Sequence, residues 1–399
     1  MKIGLIGVFL NNSNMGCVAL ACSIIKLLKE IEDEEKINLD IILFESSPDK
    51  KKVELYSKEL DVDLENFTFS EVAWIYDLRA FAHWKRHEEM KKNIKECDFI
   101  IDMTGGDSFS DIYGKKRFYF WSNIKKYILK QKIPLILGPQ TYGPYENTRV
   151  KKDAKEIIEK AALVITRDQK SLQYIQSFTN VKAEVTTDVA FELICKKGNF
   201  IKNTKKKQIG INVSGLLYLD NSDSHFNESA MKLEYRDYTH KLIKELLSSE
   251  KNEVYLIGHV QSDMQAIEKV KNLYPRCKVL PWQQTPMEIK YYISQMDVFV
   301  GARMHATVAA FSSNIATIPV AYSRKFAGLY ENVGYDILID LQNMDLKEAL
   351  LKTMEYITNS QVIKEKVSLC QQQVFEKTKE NENVTTKEEK KQNKNVTYS

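Results

Sequence analysis

The chain has 399 residues, 43% hydrophobic and 28% charged, with 58 basic against 54 acidic side chains and a net charge of +4. With a mean hydropathy of −0.37, that balance excludes a disordered tail protein, a strongly cationic nucleic-acid coat and a polytopic membrane protein. The length suits two domains better than one.

Met1-Lys2 runs straight into Ile3–Val8, without the succession of charged, apolar and small residues that marks a secretion signal. The six cysteines (17, 22, 97, 195, 277 and 370) are scattered, with no CxxC pair and no histidine at ligand spacing. Reduced thiols in a cytoplasmic protein and no metal site are therefore expected. Asn383 and Asn395 fit the glycosylation pattern but sit in a charged tail, so they are read as unmodified.

Strand-like runs then alternate with amphipathic stretches. Ile3–Phe9 precedes a helix from about Gly16 to Ile31, and strands follow at Ile41–Phe44, Phe99–Met103, Pro134–Leu137 and Leu163–Thr166. Between them lie helical patterns such as Arg117–Lys130 and Val150–Lys160. Cys195–Gln208 is basic and reads as a linker. The alternation restarts with strands at Ile209–Val213, Val254–Ile257, Lys278–Leu280, Val298–Val300 and Ala316–Val320. Helices are expected at Leu233–Leu247, Met264–Leu273, Met287–Gln295 and His305–Phe311, then along an amphipathic stretch to Phe375. This rhythm predicts α/β architecture, with two doubly wound, Rossmann-like domains facing a cleft. The expected limits are 1–195 for the first domain, 196–208 for the linker and 209–345 for the second domain. A helical segment over 346–375 and a charged, disordered tail over 376–399 complete the chain.

Candidate chemistry sits in the turns after strands. Asn11-Asn12-Ser13-Asn14-Met15-Gly16-Cys17 opens a helix, and such a turn can offer backbone N–H groups to an anion. In Asp102-Met103-Thr104-Gly105-Gly106-Asp107, the paired glycines allow close backbone approach. Asp107 and Asp111 can accept protons or bind sugar hydroxyls. Gly138-Pro139-Gln140-Thr141-Tyr142-Gly143-Pro144 reads as a second strand-end turn, with Gln140 lining the cleft. Asp168 suits a helix N-cap, whereas Arg167 can point into the cleft. The densest cluster is Gly301-Ala302-Arg303-Met304-His305, followed by Tyr322-Ser323-Arg324-Lys325. Its cations suit a ligand carrying phosphate and carboxylate together, and His305 can move a proton near neutral pH. His83, His87, His225 and His240 read as surface residues, and His259 sits at a further strand end.

These segments, in this order, resemble the polysaccharide pyruvyl transferase family. The resemblance rests on Asn14-Met15-Gly16-Cys17, Gly105-Gly106-Asp107 with Phe109-Ser110-Asp111 and Tyr113-Gly114, Gly138-Pro139-Gln140 with Gly143-Pro144, and Arg167-Asp168 with Ser171. Asp188 with Ala190-Phe191, Arg303-Met304-His305-Ala306, and Tyr322-Ser323 with Lys325 complete it. Thr187 stands where the family often has proline. The resemblance implies a fold of the glycosyltransferase B type and a phosphoenolpyruvate donor. It implies transfer of pyruvate as a ketal onto two hydroxyls of one sugar in a surface polysaccharide or its precursor, with phosphate released and no further cofactor.

On that reading Arg303, Lys325, Arg324 and Arg167 hold the donor and His305, Asp107 and Asp111 are the catalytic candidates. Asn14, Gly16, Gly105, Gly106 and Gln140 line the acceptor side or the cleft, and the first domain takes the acceptor. The saccharide can be lipid-linked, and the lysine runs at 50–52, 205–207 and 390–391 could touch the inner face of a membrane. Nucleic acid is not an expected partner. The alternatives are a nucleotide-sugar glycosyltransferase on the same fold and a non-catalytic saccharide-binding member.

Overall fold

The computed structural model describes residues 1–75, 84–196, 198–219 and 234–375, without the side chains of Arg324, Lys325 and Ala327. The expected tail, its two glycosylation patterns, Lys390-Lys391, His83 and His225 lie outside them. Among the described residues one compact unit comprises Met1–Asn11 and Leu20–Val189, and a second comprises Asn12–Ala19 and Ala190–Val374.

The first unit is built on seven parallel strands: β1 (Lys2–Ile6), β2 (Asp40–Leu43), β3 (Thr68–Phe69), β4 (Phe99–Asp102), β5 (Leu135–Gln140), β6 (Leu163–Thr166) and β7 (Glu184–Val185). They are ordered β3-β2-β1-β4-β5-β6-β7. The second unit holds six: β8 (Lys207–Asn212), β9 (Asn252–Ile257), β10 (Lys278–Val279), β11 (Val298–Gly301), β12 (Ala316–Ala321) and β13 (Ile339–Asp340). Their order is β10-β9-β8-β11-β12-β13, again parallel. Central strands such as β4, β6 and β12 are buried along their whole length, which explains their unbroken apolar text. In each sheet the strand order reverses beside the unit's first strand, at β1–β4 and at β8–β11. The carboxyl ends of those strands form a crevice suited to ligands.

Local chemistry sets several boundaries. Asn14 caps the helix Met15–Glu35: its Oδ1 accepts from Gly16 N at 2.9 Å and its carbonyl from Val18 N at 3.3 Å. The helix Lys50–Leu60 turns the first lysine run into a helical first turn, capped by Asp49. Gly138-Pro139-Gln140 proves to be strand and not turn. Proline lacks an N–H, and the β5–β6 register shifts between Leu137 and Gln140 to accommodate it. The expected linker ends early, because β8 already begins at Lys207. The C-terminal amphipathic stretch is two helices, Leu346–Thr358 and 360–375, separated at Asn359. Among the described residues no helix is long and apolar enough to cross a membrane.

Candidate active site

In the second unit, the switch-point crevice gathers turns from four chain segments. Asn212 ends β8, His259 follows β9, Arg303 follows β11, and Ser13–Gly16 comes from far upstream. The upstream turn is stitched onto the end of β9. Asn14 bridges Val260, Met15 N donates to His259 O at 3.1 Å, and Gln261 N donates to Ser13 O at 3.0 Å. Asn14 and Gly16 thus belong with Arg303 and His305.

Gly16 packs directly beneath His305, and a Cβ built there would collide with the imidazole Nδ1. The turn does not offer its amides to an anion, as its sequence suggests. Met15 N is taken by His259, Gly16 N by the Asn14 side chain, and Cys17 N and Val18 N by the Asn14 carbonyl.

Arg303 is held by a residue that its own motif does not contain. Asp263, fully buried, accepts from Arg303 Nη2 at 2.7 Å and Nε at 3.1 Å. The same carboxylate accepts from the backbone N–H of Gly215 at 2.7 Å, His259 at 3.1 Å and Val260 at 3.0 Å. Arg303 N in turn donates to Asn212 Oδ1 at 2.8 Å, and Asn212 Nδ2 donates to Ile257 O at 2.9 Å.

Burial opposes the charge of Arg303, but the attraction of Asp263 outweighs it and raises the guanidinium pKa further. The pairing uses the Nε–Nη2 edge, and among the described residues Nη1 makes no hydrogen bond. His259 is buried, and burial together with the charges of His305 and Arg303 pushes its pKa down to about 3. It is a neutral ring at working pH. Ser323 and Arg324 begin the helix Arg324–Asn332 after β12, so Arg324 and Lys325 occupy its first turn.

The first unit's candidates gather at its own β1–β4 switch point. Gly7 after β1 has φ +69° and lies against Thr104, and Gly105 N donates to Gly7 O at 2.8 Å. Gly105 and Gly106 also take positive φ, at 61° and 86°, where side chains are disfavoured. Asp107 accepts from the Tyr113 hydroxyl at 2.8 Å. Asp111 is placed differently from the acid–base role expected of it. Its two oxygens accept from Glu146 N at 3.0 Å and Asn147 N at 2.9 Å, which anchors the loop before the helix Thr148–Lys160.

Arg167 is 1% exposed; its Nη1 meets Asp188 Oδ2 at 2.6 Å and its Nε donates to Thr141 Oγ1 at 2.8 Å. Its neighbour Asp168 caps the helix Gln169–Gln176, as expected, by accepting from Ser171 N. Gln140 is fully buried and donates to Asp102 O at 3.0 Å and Asp102 Oδ2 at 3.2 Å. Beneath the glycine turn Lys125, wholly buried, meets Asp102 at 3.1 Å and donates to Thr104 Oγ1 at 2.7 Å. Sequence reading missed Asp263, Asn212 and Lys125. Asp263 and Asn212 each reach Arg303, and Lys125 reaches Thr104, across at least 20 residues of chain.

Solved structures share this fold at low identity. UDP-GlcNAc 2-epimerase from Neisseria meningitidis, bound to UDP-GlcNAc, matches with a TM-score of 0.55 at 8% identity, over 92% of this chain and 94% of that one. A putative UDP-N-acetylglucosamine 2-epimerase from Listeria monocytogenes matches at 0.58 and 10%, over 93% and 90%. The Anabaena protein HepE, in complex with UDP and glucose, matches at 0.55 and 11%, over 94% and 95%. The likeness lies in architecture, two parallel-sheet α/β domains of the glycosyltransferase B type. No curated protein matches the chain. The family model for polysaccharide pyruvyl transferase matches residues 14–324, a span that contains Asn14, Gly16, the glycine turn, Arg167, Asp263, Arg303 and His305. The chain belongs to the polysaccharide pyruvyl transferase family.

Proposed function

We propose that this polysaccharide-modifying transferase takes phosphoenolpyruvate as donor and forms a pyruvate ketal on two hydroxyls of one sugar. The observation that carries the reading is the Arg303 guanidinium, clamped on one edge by Asp263 beside His305 at the β8–β11 switch point. A fixed guanidinium with donors left over suits a compact donor bearing carboxylate and phosphate. Lys325 stands in the first turn of the helix after β12 and is assigned to the same donor.

Chemically, the donor's methylene carbon gains a proton and becomes the methyl group, and the adjacent carbon becomes electrophilic. One sugar hydroxyl adds to that carbon, and a second displaces the phosphate through C–O cleavage. Of the two hydroxyl protons, one balances the proton gained by the methyl group and one leaves on phosphate. His305 is the proton donor in this scheme, and Arg303 and Lys325 neutralise the departing phosphate. Asp107 is the first unit's candidate for accepting a hydroxyl proton. Asp111 and Arg167 are assigned to holding that unit's loops.

Phosphate release from phosphoenolpyruvate, measured with a saccharide acceptor fraction, tests the proposal. Arg303→Lys and His305→Gln are each expected to lower the rate about 100-fold or more while the protein still folds. Parent rates in both variants would overturn it. Stabilisation against heat by nucleotide sugars and not by phosphoenolpyruvate would favour the glycosyltransferase alternative.

Gly16→Ala gives a second test. The added methyl group must push the His305 ring aside, so turnover is expected to fall about tenfold or more, since small misplacements of reacting groups are costly. Steady-state kinetics with a thermal melt would check this. A folded variant with full turnover would show that Gly16 does not set the ring position.

A further inference from the structure

The second unit also contains a cavity of about 340 Å³ at the amino edge of its sheet, whereas Arg303 lies at the carboxyl edge. Lys207 opens β8, Asp297 immediately precedes β11, and Ile315 immediately precedes β12. Lys202, Ser294, Ser360, Gln361 and Lys364 complete the polar lining. The volume falls within the range of roughly 300–1,000 Å³ typical of small-molecule sites.

The charges in this cavity do not cancel. Its carboxylate, Asp297, is already occupied, because Oδ1 meets Lys202 Nζ at 2.6 Å and Oδ2 accepts from Gln208 N at 2.8 Å. Among the described residues Lys207 has only neutral acceptors, Ile357 O and Ser360 Oγ, both at 2.8 Å. Among the described residues no carboxylate lies within ion-pair distance of Lys207 or Lys364. Burial accordingly pushes the Lys207 pKa down, with Asp297 opposing it weakly. A partly buried ammonium with neutral partners, beside a second unpaired ammonium and the Ser360 hydroxyl, is chemistry that an anion completes.

We infer that this cavity binds a small phosphate-bearing anion, up to the size of a sugar phosphate, independently of the Arg303 cluster. The phosphate would sit between Lys207 and Lys364, with the Ser360 hydroxyl, which accepts from Lys207 and keeps its own proton, in the same lining to donate to it. The feature the two ligand sources share is the phosphate group, and the sugar is an additional contact.

Hydrogen–deuterium exchange on the full chain tests this locally, so that binding at the Arg303 cluster is not mistaken for it. The probes are inorganic phosphate, glucose 1-phosphate, glucose and sodium chloride at matched ionic strength. Residues 200–208 and 357–364 are expected to exchange several-fold more slowly with either phosphate compound and unchanged with glucose or chloride. Stronger protection by glucose 1-phosphate would show that the sugar is also read, and equal protection that the phosphate group alone suffices. Lys364→Glu reverses the charge of an exposed side chain without disturbing the packed strands, and it should remove the protection, as should Lys207→Met. No protection, protection by chloride as well, or protection that survives Lys364→Glu would each overturn the assignment.

Discussion

Asp263→Ala is expected to be among the most damaging single substitutions in the second unit, for activity and stability together. The carboxylate it removes serves three backbone N–H groups and the Arg303 guanidinium at once. Removing one partner of a buried charge pair costs about 3–5 kcal/mol, because the remaining charge is left uncompensated. Orphaned buried amides add to that cost. Arg303 would also lose its fixed edge, and mobility of about an ångström at a binding group is enough to lower turnover roughly 100-fold. Asp263→Asn separates the two effects. One oxygen can still accept from a backbone amide, so much of the fold is retained, but the negative charge opposite Arg303 is gone. Urea unfolding combined with phosphoenolpyruvate-dependent phosphate release measures both. The expectation is a moderately stable Asp263→Asn protein with a raised KM for the donor. If that variant folds and binds donor as the parent does, Asp263 does not position Arg303.

How far the sequence could be read follows from the range of each interaction. Parallel strands buried on both faces write themselves as short apolar runs, so β2, β4, β6, β11 and β12 were legible to within a residue or two. The turns after them were legible as well, because glycine with polar residues at strand ends is local chemistry. The partners of those turns were not. Nothing near Asp263 distinguishes it from any acidic residue in a helix's first turn, and it acts on Arg303 across 40 positions.

The docking of Asn14 onto Val260 spans far more of the chain, and it uses backbone groups that carry no sequence signature. The same limit explains the departures. Asp111 looks like an acid–base residue beside glycines until its backbone donors at Glu146 and Asn147 are seen. The amides after Asn14 look available until His259 and Asn14 itself are found to take them. A motif shows which groups can do chemistry, whereas long-range packing decides which of them are already in use.

The buried pair under the glycine turn provides the second large effect. Lys125 and Asp102 are both 0% exposed, 3.1 Å apart, with Thr104 Oγ1 between them and the Phe109 ring 4.7 Å from the ammonium. Burial lowers the Lys125 pKa, and the attraction of Asp102 works against that. Thr104 itself takes φ 38°, an uncommon backbone state for a β-branched residue, and the pair's hydrogen bonds hold it there. Lys125→Met is therefore expected to cost about 3–5 kcal/mol, since it strands a carboxylate in the core.

Adding Asp102→Asn removes the stranded charge while keeping an acceptor for Gln140 and Thr104. The double variant should regain most of the lost stability, as buried pairs replaced together often do. Urea midpoints of the parent, both single variants and the double variant complete the cycle. A non-additive recovery of more than about 1 kcal/mol identifies the pair as coupled, and additive losses would show that Lys125 and Asp102 act separately. The readout of the pair's position is the turn above it. If Asp107 depends on Thr104 for its place, the double variant regains stability but not acceptor-dependent turnover, because asparagine and methionine restore packing without the ammonium that fixes the Thr104 hydroxyl.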